Sequence, residues 1–427
     1  MKKIAVISGS VFASFILLFL VFTNLVDHTA YFDSDYYRST NLRIDSLKKS
    51  SLTVKGSFQA GFATVSITPE LQHIEDNYLE GKFSEVPLAG YGARKGKPAK
   101  GIHDSIFVKA FAMKVDGQTV VFVTADLLIM PPHIIDSVTI LLSGKGIQRE
   151  QLFFSATHTH SSLGGWGPGY IGRQFAGEEN KNIQKWLALQ ISEAVTAAIK
   201  DIRPARIGYG SFDAGAYTRN RLIGESGTKN DDFSFITIEQ TGHKKAIIGS
   251  FAAHTTTLGA DNMEISADYP GFWATKMENT FYDFALFFAG SMGSQSPVTE
   301  GKGFDRSKFM GEALADSLIS KLSEITLQEK AEFSHLSLLM ELPDCRTRIT
   351  KRLTLSSFIN KKLMPAPQRT YLQAIRIGDL VWITTPGDFS GEYALQIKNS
   401  LATKGFEANI TSFNGSYVGY IIPGRYY

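Results

Sequence analysis

Two histidines stand two residues apart in Ser155-Ala156-Thr157-His158-Thr159-His160-Ser161, directly after the apolar run Gln151-Leu152-Phe153-Phe154. That run reads as a buried strand, and in extended backbone residues i and i+2 share a face, so His158 and His160 point the same way at its exit. Imidazole is the commonest biological metal ligand and the side chain best suited to moving protons near neutral pH. A co-facial pair therefore suggests a hydrolytic centre in which one ring binds metal and the other handles protons. Paired histidines also occur as ordinary surface or hydrogen-bonded residues. What favours a site is the sequel, Leu163-Gly164-Gly165-Trp166-Gly167-Pro168-Gly169-Tyr170, whose glycines let backbone approach a ligand closely.

A third histidine, His254 in Phe251-Ala252-Ala253-His254-Thr255, again follows an apolar strand. Asp388 in Thr385-Pro386-Gly387-Asp388-Phe389-Ser390 is the carboxylate candidate, although Asp just before a helix is also a preferred cap. Near the C-terminus, Tyr417-Val418-Gly419-Tyr420-Ile421 sets tyrosines around a glycine, an arrangement that aromatic packing alone would explain.

These residues need elements to hold them. Apolar runs with period-two character predict strands at Ile106–Val115, Thr119–Thr124, Leu152–Ala156, Arg206–Phe212, Phe235–Glu239, Ala246–Ala252, Phe284–Phe288, Leu336–Glu341, Gln373–Ile377 and Leu380–Thr384. Amphipathic periodicity predicts helices at Ile183–Ile202, Asp268–Thr280, Asp305–Ile325 and Ser390–Thr403. Strands alternating with helices imply an α/β (α+β layered) fold with mixed sheets flanked by helices. No repeat or second composition regime marks another large domain, so residues 58–427 read as one catalytic body.

A chain of 427 residues that is 43% hydrophobic can bury a substantial core. Its net charge of +3 is nearly balanced, and no Lys/Arg tract carries interleaved aromatics, so nucleic acid is not an expected partner. The single cysteine, Cys345, excludes an internal disulfide or a cysteine-rich zinc knuckle, leaving His, carboxylate or Tyr to bind any metal. Lys2 and Lys3 precede an uncharged, mostly apolar run, Ile4 to Val26. As a helix it would reach about 34 Å, enough to cross a bilayer. Such a run is a membrane span or an unusually long signal peptide; no small-x-small cleavage site follows, so residues 1–26 read as an uncleaved anchor or uncleaved signal and 27–57 as a juxtamembrane segment with a short helix near Arg43 to Lys49. With the lysines inside, the body lies outside the cytoplasm.

The run Gly61-Phe62-Ala63-Thr64-Val65-Ser66-Ile67-Thr68-Pro69, then Gly90-Tyr91, Gly101-Ile102-His103, Val123-Thr124-Ala125-Asp126 and Ala156-Thr157-His158-Thr159-His160-Ser161, resembles the neutral/alkaline, non-lysosomal ceramidase family in matching order. Asn220-Arg221, His254, Ile265-Ser266-Ala267-Asp268 and Pro386-Gly387-Asp388-Phe389 continue the likeness, which covers roughly residues 58–427. The resemblance implies a zinc amidase that cleaves the N-acyl bond of ceramide into fatty acid and sphingoid base, working on a two-tailed lipid at a bilayer. Carried over by position, the metal ligands are His158, His254, Asp388 and Tyr420, with His160 the non-ligand histidine and Arg221 the arginine that engages the substrate. Zinc lowers the pKa of its water toward about 7 and polarises the amide carbonyl.

The pattern departs from the family in three places. Asp388 stands where the family has Glu. The Gly-Asp-Val-Ser-Pro-Asn element reads Gly293-Ser294-Gln295-Ser296-Pro297-Val298, keeping Ser296 as a site-lining or turn residue. The chain ends at Tyr427, so the expectation is either that a later family tyrosine and a C-terminal immunoglobulin-like domain are absent or that the C-terminus is incomplete. Asp126, Asp261 and Asp268 are acidic candidates for a second divalent cation, and equally suit caps or turns. Competing readings are a zinc hydrolase of another N-acyl lipid or amide, a metal-free serine hydrolase using Ser296, which lacks Gly-x-Ser-x-Gly, and an inactive lipid-binding protein.

Overall fold

Alternating and continuous apolar runs pair into one twelve-stranded network in the computed structural model, which describes residues 14, 17–19 and 21–426. Its strands are β1 (Val54–Ser66), β2 (Phe107–Val115), β3 (Gln118–Ala125), β4 (Leu152–Ala156), β5 (Arg203–Asp213), β6 (Asp232–Gln240), β7 (Lys245–Phe251), β8 (Phe284–Ala289), β9 (Lys330–Glu341), β10 (Arg369–Ile377), β11 (Leu380–Thr384) and β12 (Glu407–Thr411). The order is β8-β7-β6-β5-β1-β9-β10-β11-β12, and β2, β3 and β4 branch from β1. The helices are α1 (Asp35–Ser50), α2 (Pro132–Ser143), α3 (Gly169–Ala176), α4 (Lys181–Lys200), α5 (Asp268–Thr280), α6 (Phe304–Ile319), α7 (Ser357–Leu363) and α8 (Gly391–Ala402).

Strand β1 is shared between layers. Its first residues pair with β9, Gln59 and Ala60 pair with β5, and Phe58–Ser66 pair with β2. The branch β2–β4 folds over the rest, and rings from both sides meet: Phe122 lies 5.3 Å from Phe288 and 5.4 Å from Trp382, and Phe62 lies 5.2 Å from Phe284. The pleat explains the division of labour along β2. Phe111, Met113 and Val115 enter this inter-sheet core, whereas Val108, Ala110 and Ala112 face the cluster containing α2 and α4. Helices α5 and α6 cover β6–β8 from the other side. Each buried Phe contributes about 1.5–3 kcal/mol of transfer free energy. Emptying the centre with Phe122→Ala would cost roughly 3–5 kcal/mol.

The predicted strands all form, several with longer ends. Helix α6 stops at Ile319 instead of Ile325, because the chain turns into a 3-10 segment at Leu322–Glu324. Most of the apolar run Ile4–Val26 lies outside the described residues. At its end the expected helix is corrected: Thr23–Leu25 are extended and pair antiparallel with Leu353–Leu355. Among the described residues no helix is long and apolar enough to cross a membrane. Helix α1 covers much of the expected juxtamembrane segment and packs on β9, where Arg43 donates to Leu339 O at 2.6 Å and pairs with Glu341 at 2.8 Å. The sheet itself begins at Val54.

Candidate metal centre

Three strand pairs in the network are parallel: β3 with β4, β7 with β8, and β11 with β12. Ligand sites in α/β sheets collect beyond the carboxyl ends of such strands. Here the loop after β4 carries His158 and His160, that after β7 carries His254, that after β8 carries Met292 and Gly293, and that after β11 carries Asp388. Remote sequence positions thus converge because the strands bearing them run the same way.

His158 is not extended. Its φ of 63° is left-handed, a strained state for a non-glycine residue, so simple strand alternation is not what aligns the two histidines. They meet nonetheless: His160 Nε2 is 3.3 Å from His158 Nε2, which is 2.9 Å from His254 Nε2. Gly90 makes room, since a Cβ at its φ of 127° would lie 2.6 Å from the His160 Cα. Phe413 stacks on the His158 ring at 4.2 Å, and the Tyr91 ring lies 4.8 Å from that of His160.

The outer nitrogens distinguish the three rings. His158 Nδ1 is 2.5 Å from Leu128 O and His254 Nδ1 is 3.2 Å from Met292 O, so each Nδ1–H donates to a carbonyl and each Nε2 turns a lone pair inward. This is how metal-binding histidines are oriented. Two lone pairs 2.9 Å apart repel unless a cation lies between them. His160 Nδ1, by contrast, is buried with no partner among the described residues.

Asp388 completes the set. It is fully buried; Oδ2 accepts from Tyr417 Oη at 2.8 Å, and Oδ1 has no hydrogen-bond partner among the described residues. Oδ1 lies 3.5 Å from His158 Nε2 and 3.9 Å from His254 Nε2. Tetrahedral zinc with ligands at 2.0–2.1 Å needs donor atoms about 3.3 Å apart, which these spacings bracket. The donor set therefore fits a divalent ion. Capping does not explain Asp388, because Ser390 is the cap of α8, accepting from Glu392 N at 3.2 Å.

Burial dominates the electrostatics. It lowers the His158 pKa to about 3 and those of His160 and His254 well below the ordinary value, and it raises Asp388 to about 6 against the opposing Tyr417 hydrogen bond and Arg221 charge. Three neutral imidazoles and a desolvated carboxylate are poor companions for protons and good ones for a metal cation.

Among solved structures, the chain resembles neutral ceramidase from Pseudomonas aeruginosa, with a TM-score of 0.72 and 18% identity over 86% of this chain and 68% of that one. It is also similar to a ceramidase complexed with C2, with a TM-score of 0.71 and 19% identity over 86% of this chain and 69% of the other. Those likenesses concern the fold. The sequence pattern described as neutral/alkaline non-lysosomal ceramidase, N-terminal, matches residues 77–308, more than half of the chain. The chain belongs to the neutral/alkaline non-lysosomal ceramidase family. Membership makes it an amidase of the ceramide-hydrolysing class.

Within this ceramidase fold, Tyr420 sits opposite Asp388 in a two-residue parallel ladder. Burial and the Asp388 charge raise its pKa, and the Arg221 guanidinium lies 5.1 Å over its ring. Arg221 is anchored to backbone: Nη2 and Nε donate to Gly293 O at 2.8 and 3.2 Å. Ser296 Oγ accepts from Arg219 Nε at 3.3 Å and, among the described contacts, does not join the imidazoles. The altered family element has a structural use. Buried Gln295 donates from Nε2 to Thr218 Oγ1, Asn230 O and Ala252 O, at 3.1, 3.0 and 2.9 Å, tying the β7 and β8 loops together.

Asp126, Asp261 and Asp268 lie outside the group formed by His158, His160 and His254, whose ring nitrogens come within 4.8 Å of one another. Asp126 Oδ2 accepts Phe107 N at 2.8 Å, and Asp268 accepts from Thr257 and the Tyr269 amide. Trp166 is buried and donates to Leu163 O at 2.8 Å, so it belongs to the core. Sequence reasoning missed Tyr417 and Phe413 as neighbours of the centre. The tyrosine–glycine run pointed to the former, and nothing local marked the latter.

Proposed function

We propose that the chain is a zinc-dependent amidase that hydrolyses the N-acyl bond of ceramide-like sphingolipids to a fatty acid and a sphingoid base. The observation that supports this most is the contrast between His158 and His254, each tethered by Nδ1 to a backbone carbonyl, and His160, whose Nδ1 is untethered. In this reading His158, His254, Asp388 and Tyr420 hold the metal. When bound, zinc supplies an activated water and a Lewis acid for the amide carbonyl. His160, kept neutral by burial, accepts a proton from the attacking water and delivers it to the leaving nitrogen. Arg221, anchored on Gly293 O, orients the substrate oxygen at the rim.

We further propose that residues 1–26 anchor the enzyme in a bilayer with residues 58–427 outside the cytoplasm. The exposed apolar side chains of Leu17, Leu18, Phe19, Val21 and Phe22 support an environment other than water at this end. The family and the resemblance to a ceramidase complexed with C2 support a ceramide-like substrate. The test is fatty-acid release from ceramide by purified protein before and after chelation and after zinc is restored. Release from an unrelated N-acyl amide with none from ceramide would transfer the reading to another substrate, and chelator-insensitive release would remove zinc from it.

A further inference from the structure

Strands β9 and β10 are antiparallel neighbours whose closing pair is Glu341 and Arg369. Hairpin connections usually take two to five residues, but residues 342–368 intervene here, with α7 among them. This excursion holds six Lys/Arg against one carboxylate, Asp344, a local net charge of +5 in a chain whose total is +3. All six basic residues are exposed, and among the described residues only Arg346 has a carboxylate partner, Asp27 at 3.3 Å. Between them stand exposed Ile349, Phe358 and Met364, with the Lys362 ammonium 4.5 Å over the Phe358 ring.

Two connections give this surface a direction. The exposed apolar residues ending at Phe22 join the excursion through the Thr23–Leu25 ladder and the bond from Ser356 N to Phe22 O at 2.9 Å. On the other side α7 packs against α3, where Gly169 abuts Pro365 and Leu363. The far end of α3 reaches the centre: Phe175 O accepts from Gly90 N at 2.9 Å, and Gly90 lies against His160. Eight helical residues, about 12 Å, separate the basic surface from the segment that touches the catalytic histidine.

We propose that the 342–368 excursion, with the exposed Tyr170 and Ile171 of α3, is a docking face for an anionic bilayer surface. Lipid phosphates take the Arg and Lys heads while Ile349 and Phe358 enter the interface, and the mouth of the site is held at the depth where a two-tailed amide lipid resides. This inference deepens the membrane reading above, and its test reports vesicle contact, not amide cleavage.

Cys345 is the chain's one cysteine, so Cys345→Ser provides a blank background in the full-length protein. An environment-sensitive fluorophore goes on Ile349→Cys, on Phe358→Cys, or on His243→Cys in the β6–β7 turn, at the end of β7 away from His254. Each is mixed with phosphatidylcholine vesicles carrying nitroxide lipid, with or without phosphatidylglycerol. The probes at 349 and 358 are expected to be quenched several-fold more than that at 243, and only when phosphatidylglycerol is present. Replacing Arg346, Arg348, Lys351 and Arg352 by Gln should abolish that quenching, since each basic residue contributes about fivefold at an anionic surface. If 349 and 358 stay unquenched on anionic vesicles to which the chain is bound, or are quenched equally on neutral ones, the docking face is wrong.

Discussion

Tyr417 donates its hydroxyl to Oδ2 of Asp388 at 2.8 Å, while Oδ1 of the same carboxylate is left facing His158 Nε2 at 3.5 Å. The phenol thereby decides which oxygen is offered to the ion. Tyr417→Phe keeps the ring and removes only that tether. Outer partners of this kind change metal affinity by about 10- to 100-fold when lost. Competition with a zinc-binding dye should reveal that weakening with an unchanged circular-dichroism spectrum, and an unaltered affinity would show that packing alone orients Asp388.

The tethered and untethered histidines should separate experimentally. His254→Ala is expected to lose both stoichiometric zinc and activity. His160→Ala should keep its zinc and lose about 10²- to 10⁴-fold in kcat, the usual share of a general acid–base group. Zinc analysis of the two purified variants decides between these roles, and metal loss from the His160 variant would make it a ligand.

The metal-stripped protein should be sensitive to mild acid. His158, His160 and His254 have folded pKa values below the unfolded 6.5, so their unfolded forms take up protons that the native state refuses, and stability falls as pH drops through 6.5. Asp388 works oppositely: raised to about 6, it stabilises the fold below the unfolded value and loses that contribution as pH climbs through 6. The three histidines outnumber the one carboxylate, so for these four groups acid is destabilising on balance. Urea midpoints at pH 7 and pH 5 after chelation should differ accordingly, and equal midpoints would mean that water reaches the imidazoles.

Asp126 gives a second pH signature. Burial raises it to about 7, so its contribution is complete below the unfolded pKa of 3.8 and is lost as pH rises through 7. Asn retains an oxygen for the Phe107 amide without the charge. Thermal melts should show Asp126→Asn above wild type at pH 8, with the advantage shrinking toward pH 5. A deficit at pH 8 would mean that the ionised carboxylate is itself needed.

Much of this was readable along the chain. The Leu152–Ala156 and Leu380–Thr384 strands and the Asp268–Thr280 helix form where period and punctuation put them, because their burial patterns are strong and local. His158 and His254 stood out as strand-end histidines. Less readable was the helix α3, whose glycine-rich sequence reads as a loop, and β1, which begins four residues before the expected boundary because its first residues are stabilised by β9, far away in sequence. The extended state of Thr23–Leu25 likewise depends on Leu353–Leu355, a partner that hydropathy cannot reveal.

Residue types and order determined the family, the layered α/β class and a short list of chemical groups, since these depend on composition and on periods of two or 3.6 residues. Only the tertiary structure decided which groups share a point in space and which atoms they present. That the Nδ1 atoms of His158 and His254 are tied to Leu128 and Met292, that His160 is not, and that Tyr417 holds Asp388, all follow from loops brought together by parallel strands. Hydrogen-bond partners 29 to 38 residues apart are set by packing, which no local pattern encodes.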